Sequence, residues 1–188
     1  MKEAFLEPIL RRFRISRVIA HIPKSSVILD IGCGRKAAFL QAVSPYIKEG
    51  FGVDFKVDEN VQIPNVRTLQ LRLESNLPFA DCSFDVVTML AVLEHIEKEE
   101  QILSEIHRVL VPGGKLIITV PSVWAQPVLE FLAYKLKIVS EAEIRDHKRY
   151  YTREKLQKIL VRTIGFTEFK HRYFQLWMNN FCTVTKSK

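Results

Sequence analysis

A chain of 188 residues, 47% of them hydrophobic, is long enough to bury a core without disulfides or a structural metal. Its three cysteines, Cys33, Cys82 and Cys182, show neither a paired nor a metal-ligand spacing, so we predict no disulfide framework and no bound metal. The formal net charge is +7, and neither a secretory segment nor a run of about 20 uncharged apolar residues occurs, so we expect one cytoplasmic domain.

An opening helix is predicted over residues 4–21, and the strand after it ends in a turn with two glycines. Gly32 and Gly34 allow a sharp backbone bend and the close approach of a ligand. Asp30 stands just before this turn, and its negative charge would repel a pyrophosphate. The same charge attracts the ammonium and sulfonium groups of S-adenosylmethionine, so we predict this cofactor. A dinucleotide is the alternative, since Gly32-x-Gly34-x-x-Ala37 matches a looser dinucleotide spacing.

The second predicted strand ends in Asp54, which follows Gly34 by 20 residues. In nucleotide-binding α/β folds, a carboxylate at this position holds the two ribose hydroxyls. We therefore predict that Asp54 binds the ribose of the cofactor. The alternative is an aspartate that only forms the turn at the end of the strand.

Strand and helix signals continue to alternate along the chain, which is typical of an α/β doubly wound sheet. One helix is predicted over 38–47, a second through Ile102 until Pro112-Gly113-Gly114 ends it, and a third from the N-cap Thr152 to Gly165. We predict a Rossmann-like, mostly parallel seven-stranded sheet with helices on both faces. Its strands are expected at about 27–31, 51–54, 66–71, 84–89, 114–120, 166–174 and 177–185.

Three further motifs follow in order: Leu77-Pro-Phe-Ala-Asp-Cys-Ser-Phe-Asp-Val-Val, Val92-Leu-Glu-His-Ile96 and Arg108-Val-Leu-Val-Pro-Gly-Gly-Lys115. Together with the glycine turn and the Asp54 strand they resemble the class I S-adenosylmethionine-dependent methyltransferases of the type 11 branch. The resemblance covers about residues 25–122 and continues more weakly to Gly165-Phe166. It implies methyl transfer from S-adenosylmethionine to an acceptor.

The resemblance also implies which residues contact the cofactor. The sequence departs from the family pattern at two places. Lys36 stands where a third glycine is common, and no aspartate occurs in the usual place shortly before Leu77. Adenine recognition is therefore assigned by position to Leu73, Glu74 or Ser75, with Phe55 covering the adenine face. The predicted cofactor site comprises Asp30, Gly32, Cys33, Gly34, Asp54, Phe55, Leu73, Glu74 and Leu90.

The segment after the fifth strand is too long for a plain loop, and in the family it is where lids and substrate-specific insertions occur. We divide the single domain into a helix at 1–24, a cofactor-binding core at 25–122, a lid at 123–149, and a helix with two strands at 150–188. Within the run Asp146-His-Lys-Arg-Tyr-Tyr151, His147 and Tyr150 are the predicted catalytic residues. The alternative is that the lid is a helix that only packs on the core.

Charge is uneven along the chain. Residues 133–188 contain 13 Lys and Arg against 5 Asp and Glu, whereas the rest of the chain is nearly neutral. A basic acceptor side would attract an anionic small molecule, a lipid head group or RNA. Three alternatives are open: an inactive methyltransferase-like partner protein, an RNA-modifying methyltransferase and a nicotinamide-dependent oxidoreductase.

Overall fold

A seven-stranded sheet forms the centre of the computed structural model, which describes residues 7–58, 60–73, 76–125, 127 and 149–188. The strands are β1 Val27–Ile31, β2 Glu49–Asp54, β3 Val66–Gln70, β4 Phe84–Leu90, β5 Leu110–Pro121, β6 Thr167–Phe174 and β7 Asn179–Thr185. Their order in the sheet is β3-β2-β1-β4-β5-β7-β6; β1 to β5 run parallel, and β7 is antiparallel to β5 and to β6. The predicted α/β, mostly parallel fold is confirmed.

Helices cover both faces of the sheet because the central strands β1, β4 and β5 are apolar on both sides. The helices are α1 Glu7–Ile19, α2 Ala38–Val43, α3 Glu99–Val109 and α4 Arg153–Gln157, and α4 continues as a π-helical segment at Lys158–Thr163. On one face α1 and α2 pack through Val18 and Leu40, and on the other α3 and α4 pack through Ile106 and Leu156. Short 3-10 turns occur at Ser44–Tyr46 and Leu93–His95.

The C-terminal end of α3 differs from the prediction. The helix ends at Val109, before Pro112-Gly113-Gly114, and those three residues belong to the first part of β5. The reason is a contact that is distant in sequence. The Lys186 ammonium donates to the carbonyl oxygens of Arg108 at 3.3 Å and of Leu110 at 2.7 Å. These bonds satisfy carbonyls that a helix leaves unpaired at its end, so the chain can enter the strand directly.

The start of α4 agrees with its prediction. The Thr152 hydroxyl accepts a hydrogen bond from the Lys155 backbone N–H at 3.2 Å, as an N-cap does. Leu156 and Leu160 are fully buried against the core. The chain then leaves the helical segment through Gly165, whose φ of +92° favours glycine.

Arg108 fixes the loop that leads into β4. Its guanidinium forms a bidentate pair with Glu105 at 2.8 and 2.9 Å and a further ion pair with Asp81 at 2.6 Å. It also donates to the carbonyl oxygens of Phe79 and Leu77. The motif beginning at Leu77 is therefore held against α3, and this contact sets the entry of the strand next to β1.

Candidate functional site

The turn after β1 lies at the carboxyl edge of the parallel strands, where α/β sheets bind ligands. The backbone N–H groups of Gly32 and Cys33 donate to the Val53 carbonyl at 2.8 and 3.2 Å, which ties the turn to β2. Gly32 has a φ of +76°, and a Cβ there would collide with the Val92 side chain. Gly34 has a φ of +71° and no atom within 4 Å of where a Cβ would stand. Of the two glycines in this turn, Gly34 is therefore the one that borders open space.

Asp54 joins the two loops of this edge. Its carboxylate accepts the Gly34 N–H at 2.9 Å through one oxygen and the Lys56 N–H at 2.9 Å through the other. A carboxylate has about four acceptor positions, so it can bind further donors while it keeps both backbone contacts. Asp54 is 9% exposed. The turn-forming role considered from the sequence is real, and it leaves capacity for ligand hydroxyls.

Asp30 is buried beneath the turn, with 2% of its surface exposed. The Thr88 hydroxyl on β4 donates to its carboxylate at 2.6 Å. Burial raises the pKa of Asp30 to about 7, against the lowering effect of the Thr88 hydrogen bond and with a smaller increase from the charge of Asp54. Sequence reasoning missed Thr88. Its only signal was a polar residue in the apolar second half of the strand.

The other predicted cofactor residues fall into three groups. Phe55, directly after Asp54, is 59% exposed. Leu73 and Leu90 are partly buried and pack against the core, and Cys33 is buried with its sulfur near Gly52 and Leu40. The Cys33 side chain therefore faces the core, and only its backbone lies at the turn. Glu74 and Ser75 are outside the described residues.

The predicted acceptor side is described only in part. Tyr150 is half-buried beside the end of β5, where the next residue, Tyr151, forms a bridge with Ser122. His147 lies outside the described residues, as does most of the predicted lid at 123–149. Among the residues that the structure does describe, no three His, Cys, Asp or Glu side chains are grouped to hold a metal ion.

A polar network that sequence reasoning missed fixes the chain next to Tyr150. The buried Tyr151 hydroxyl donates to the Glu99 carboxylate at 2.6 Å. Arg149 lies 3.7 Å from the same carboxylate and donates to the Ile96 carbonyl at 2.7 Å. Burial and the Glu99 charge both raise the pKa of Tyr151, so its phenol stays a donor. The network connects the start of α3 with the segment that carries Tyr150.

We expect Tyr151→Phe to lower the free energy of unfolding by about 1 to 3 kcal/mol, because the partly buried Glu99 carboxylate loses a hydrogen bond from a neutral donor. Urea denaturation followed by circular dichroism measures this loss. Tyr46→Phe is the matched control, because Tyr46 is 57% exposed. Equal stability of the two variants would show that the hydroxyl of Tyr151 contributes nothing.

Comparison with known families identifies the kind of domain that contains this edge of the sheet. A family model described as a methyltransferase domain matches residues 29–118, from β1 into β5. These residues are a methyltransferase domain of the S-adenosylmethionine-dependent class I, type 11. The resemblance inferred from the motifs is confirmed, and S-adenosylmethionine is the cofactor of this family.

Curated relatives of this methyltransferase domain are longer proteins. It is 32% identical over 131 residues to the uncharacterized methyltransferase YcgJ of Bacillus subtilis, covering 63% of this chain and 50% of that protein. It is 32% identical over 115 residues to the demethylmenaquinone methyltransferase of Deinococcus radiodurans, covering 57% and 47%. The chain thus spans about half the length of these relatives.

Solved structures resemble the domain over nearly its whole length. A chain in the complex between the Haloferax volcanii Trm112 methyltransferase activator and a methyltransferase has a TM-score of 0.77 at 16% identity, covering 97% of this chain and 92% of that one. The YcgJ structure from Bacillus subtilis has a TM-score of 0.61 at 18% identity, covering 94% and 99%. At these identities the likeness shows the fold alone.

Proposed function

We propose that the methyltransferase domain binds S-adenosylmethionine at the carboxyl edge of β1, β2 and β4 and transfers its methyl group to a small or anionic acceptor. The observation that carries this proposal is the open space at Gly34 beside the Asp54 carboxylate. A glycine with positive φ and no neighbouring atom leaves room for a ligand against the backbone, and the adjacent carboxylate accepts hydroxyl donors.

Each part of the cofactor has a fitting partner in this proposal. Asp54 accepts hydrogen bonds from the ribose hydroxyls, and the exposed ring of Phe55 covers the adenine. Gly34 and the backbone of Cys33 border the ligand, and Gly32 shapes the turn by admitting Val92. Leu90 is an apolar contact at the end of β4. Leu73 and Glu74 stay predictions for the adenine edge.

Asp30 contributes through its charge. In the buried position beneath the turn, a carboxylate stabilises a nearby cation more strongly than it would in water. An ammonium group near the turn would therefore favour the ionised form of Asp30, whose pKa of about 7 leaves it only partly ionised at neutral pH. A pyrophosphate would have the opposite effect, which is why we prefer the methyl donor to a dinucleotide.

Bound S-adenosylmethionine supplies a methyl group on a positively charged sulfur, so the protein has to orient an acceptor in line with that bond and exclude water. We propose that Tyr150, beside the end of β5, orients the acceptor, and that His147 removes a proton from it where it carries one. We further propose that residues 123–149 form a cover over this acceptor. The other parts of the single domain are then the N-terminal helix at 1–24, the cofactor-binding core at 25–122, and the helix with two strands at 150–188. We also propose that the protein acts in the cytoplasm.

The acceptor class rests on charge. The basic residues of the C-terminal third favour an anionic small molecule, and lipid head groups and RNA share that chemistry. One relative is named for demethylmenaquinone, and one solved neighbour for a complex with an activator protein. We propose a small or anionic acceptor because the basic charge belongs to this chain, whereas the quinone and the activator protein are named only for other proteins.

The cofactor site can be tested with one pair of variants. We expect Gly34→Ala to weaken S-adenosylhomocysteine binding by about tenfold or more, because the added methyl group occupies the open space next to Asp54. Gly113→Ala is the matched control, since Gly113 has a φ of +80° and no atom within 4 Å but lies at the amino-terminal edge of the sheet. Both variants carry the same backbone strain, about 1 to 2 kcal/mol.

Isothermal titration calorimetry with S-adenosylhomocysteine and with NAD measures the outcome. Equal affinity of Gly34→Ala and Gly113→Ala for S-adenosylhomocysteine would contradict the assignment of this space to the cofactor. Tighter binding of NAD by the unmodified protein would favour the oxidoreductase alternative. Binding of neither ligand would favour an inactive partner protein.

A further inference from the structure

Large apolar side chains are exposed on one side of the carboxyl edge, around the hairpin between β6 and β7. Leu176 and Trp177 at its tip are 90% and 64% exposed. Trp124, shortly after β5, is 61% exposed, and Phe13 on α1 is 59% exposed. We call these four residues, with Ile9 of α1, the tip surface. Contiguous exposed apolar residues of this size are typical of interaction sites.

Hydrogen bonds bring the three segments of the tip surface together. The Gln175 side chain donates to the Leu10 carbonyl at 3.3 Å, which joins the hairpin to α1. The Ser122 hydroxyl donates to the Trp177 carbonyl at 2.5 Å, which joins the hairpin to the end of β5. The Trp177 ring stacks on Tyr173 with the centroids 5.2 Å apart. The tip surface is therefore a fixed part of the fold.

The hairpin tip holds its apolar residues in an unfavourable backbone conformation. Gln175, Leu176 and Trp177 have φ values of 51°, 54° and 70°, a region that glycine or asparagine occupies more easily. A turn selected only to connect two strands would carry glycine or asparagine at these positions. Strain and exposure at the same positions indicate that Leu176 and Trp177 have a use outside the folded core.

Exposed arginines lie on two elements next to the tip surface. Arg12 and Arg17 are exposed on the same helix as Ile9 and Phe13, and Arg172 is exposed on β6. The sequence contains no acidic residue between Glu7 and Asp30 and none after Glu168. The exposed arginines on α1 and β6 complement an anionic surface.

We propose that the tip surface docks the protein on an anionic lipid bilayer. The hairpin tip and α1 both expose apolar side chains, and on α1 exposed arginines accompany them, which is the pattern of a helix that lies at a membrane interface. Tryptophan favours that interface because its ring is apolar and its N–H is polar. No helix in the described part of the chain is long and apolar enough to cross a bilayer. The docking does not depend on the proposed methyl transfer.

Tryptophan fluorescence tests this proposal directly, because both tryptophans of the chain belong to the tip surface. Vesicles of phosphatidylcholine with about 30% phosphatidylglycerol should shift the emission to shorter wavelength, and pure phosphatidylcholine should bind far more weakly. Raising the salt from about 0.1 M to 0.5 M should weaken the binding to the anionic vesicles.

Variants that keep both tryptophans locate the contact. We expect the double variant Phe13→Ser and Leu176→Ser to reduce partitioning into the anionic vesicles by about tenfold or more. The reason is that two apolar side chains are no longer available to be buried in the bilayer. Tyr46→Ser with Leu69→Ser is the matched control, since these exposed residues are not part of the tip surface. Its partitioning should equal that of the unmodified protein.

Three results would overturn the proposal. The first is an unchanged emission spectrum of the natively folded protein with anionic vesicles. The second is an equal loss of binding in the Tyr46 and Leu69 control. The third is sedimentation of the vesicle-free protein as a dimer that Phe13→Ser with Leu176→Ser converts to a monomer, because the tip surface would then bind a second copy of the chain.

Discussion

Asp54→Ala is expected to weaken S-adenosylhomocysteine binding at least about tenfold and to lower the free energy of unfolding by about 2 to 4 kcal/mol. The two effects have different causes. Binding suffers because the ribose hydroxyls lose a charged acceptor. Stability suffers because the N–H groups of Gly34 and Lys56 both lose the carboxylate that joins their loops.

A control separates these causes. The Asp85 carboxylate also accepts a backbone N–H, that of Val27 at 2.7 Å, but it lies at the opposite edge of the sheet. Asp85→Ala should therefore lower stability without changing ligand affinity. Calorimetric titration with S-adenosylhomocysteine, together with urea denaturation, measures both quantities. A folded Asp54→Ala protein with unchanged affinity would rule out Asp54 as the ribose ligand.

Much of the fold could be predicted because its signals are local. The apolar run that ends at Ile31 and the short strand that ends at Asp54 each precede a turn signal, and both strands occur where they were expected. The end of α3 was predicted wrongly because Lys186 satisfies its carbonyls from the far end of the chain. A contact between residues that distant has no counterpart in local sequence patterns.

The candidate site shows the same division. Gly32 and Gly34 look alike in the sequence, but Val92 fills the space at the first and nothing fills the space at the second. The sequence also placed Cys33 at the turn, whereas its side chain packs in the core. Such differences depend on which side chains meet after folding, so only the structure distinguishes a backbone position from a binding position.

The largest expected effect of pH concerns Asp30. Its pKa is raised from 3.8 to about 7 in the folded protein, chiefly by burial. A raised carboxyl pKa means that the folded state favours the protonated form. The destabilisation caused by Asp30 is therefore nearly absent below pH 3.8, grows as the pH rises, and is complete above about pH 7.

Asp30→Asn should remove this dependence, because the amide stays neutral and still accepts the Thr88 hydroxyl. The difference in the free energy of unfolding, variant minus unmodified protein, should rise by about 2 to 3 kcal/mol between pH 5 and pH 8. Thr88→Val supplies a second check. It removes the hydrogen bond that lowers the pKa of Asp30, so the pH range of the destabilisation should move upward.

Asp30→Asn should also weaken binding of the cofactor, because the Asp30 carboxylate attracts its ammonium group. Asp30→Asn is expected to reduce S-adenosylhomocysteine affinity by about tenfold at pH 8 and by less at pH 6, where Asp30 is already largely protonated. Adenosine lacks the ammonium group, so its affinity should change little. Calorimetry with both ligands at the two pH values measures this difference. Equal losses for adenosine and S-adenosylhomocysteine would show that the variant damages the turn, and that the Asp30 charge does not act on the methionine end of the cofactor.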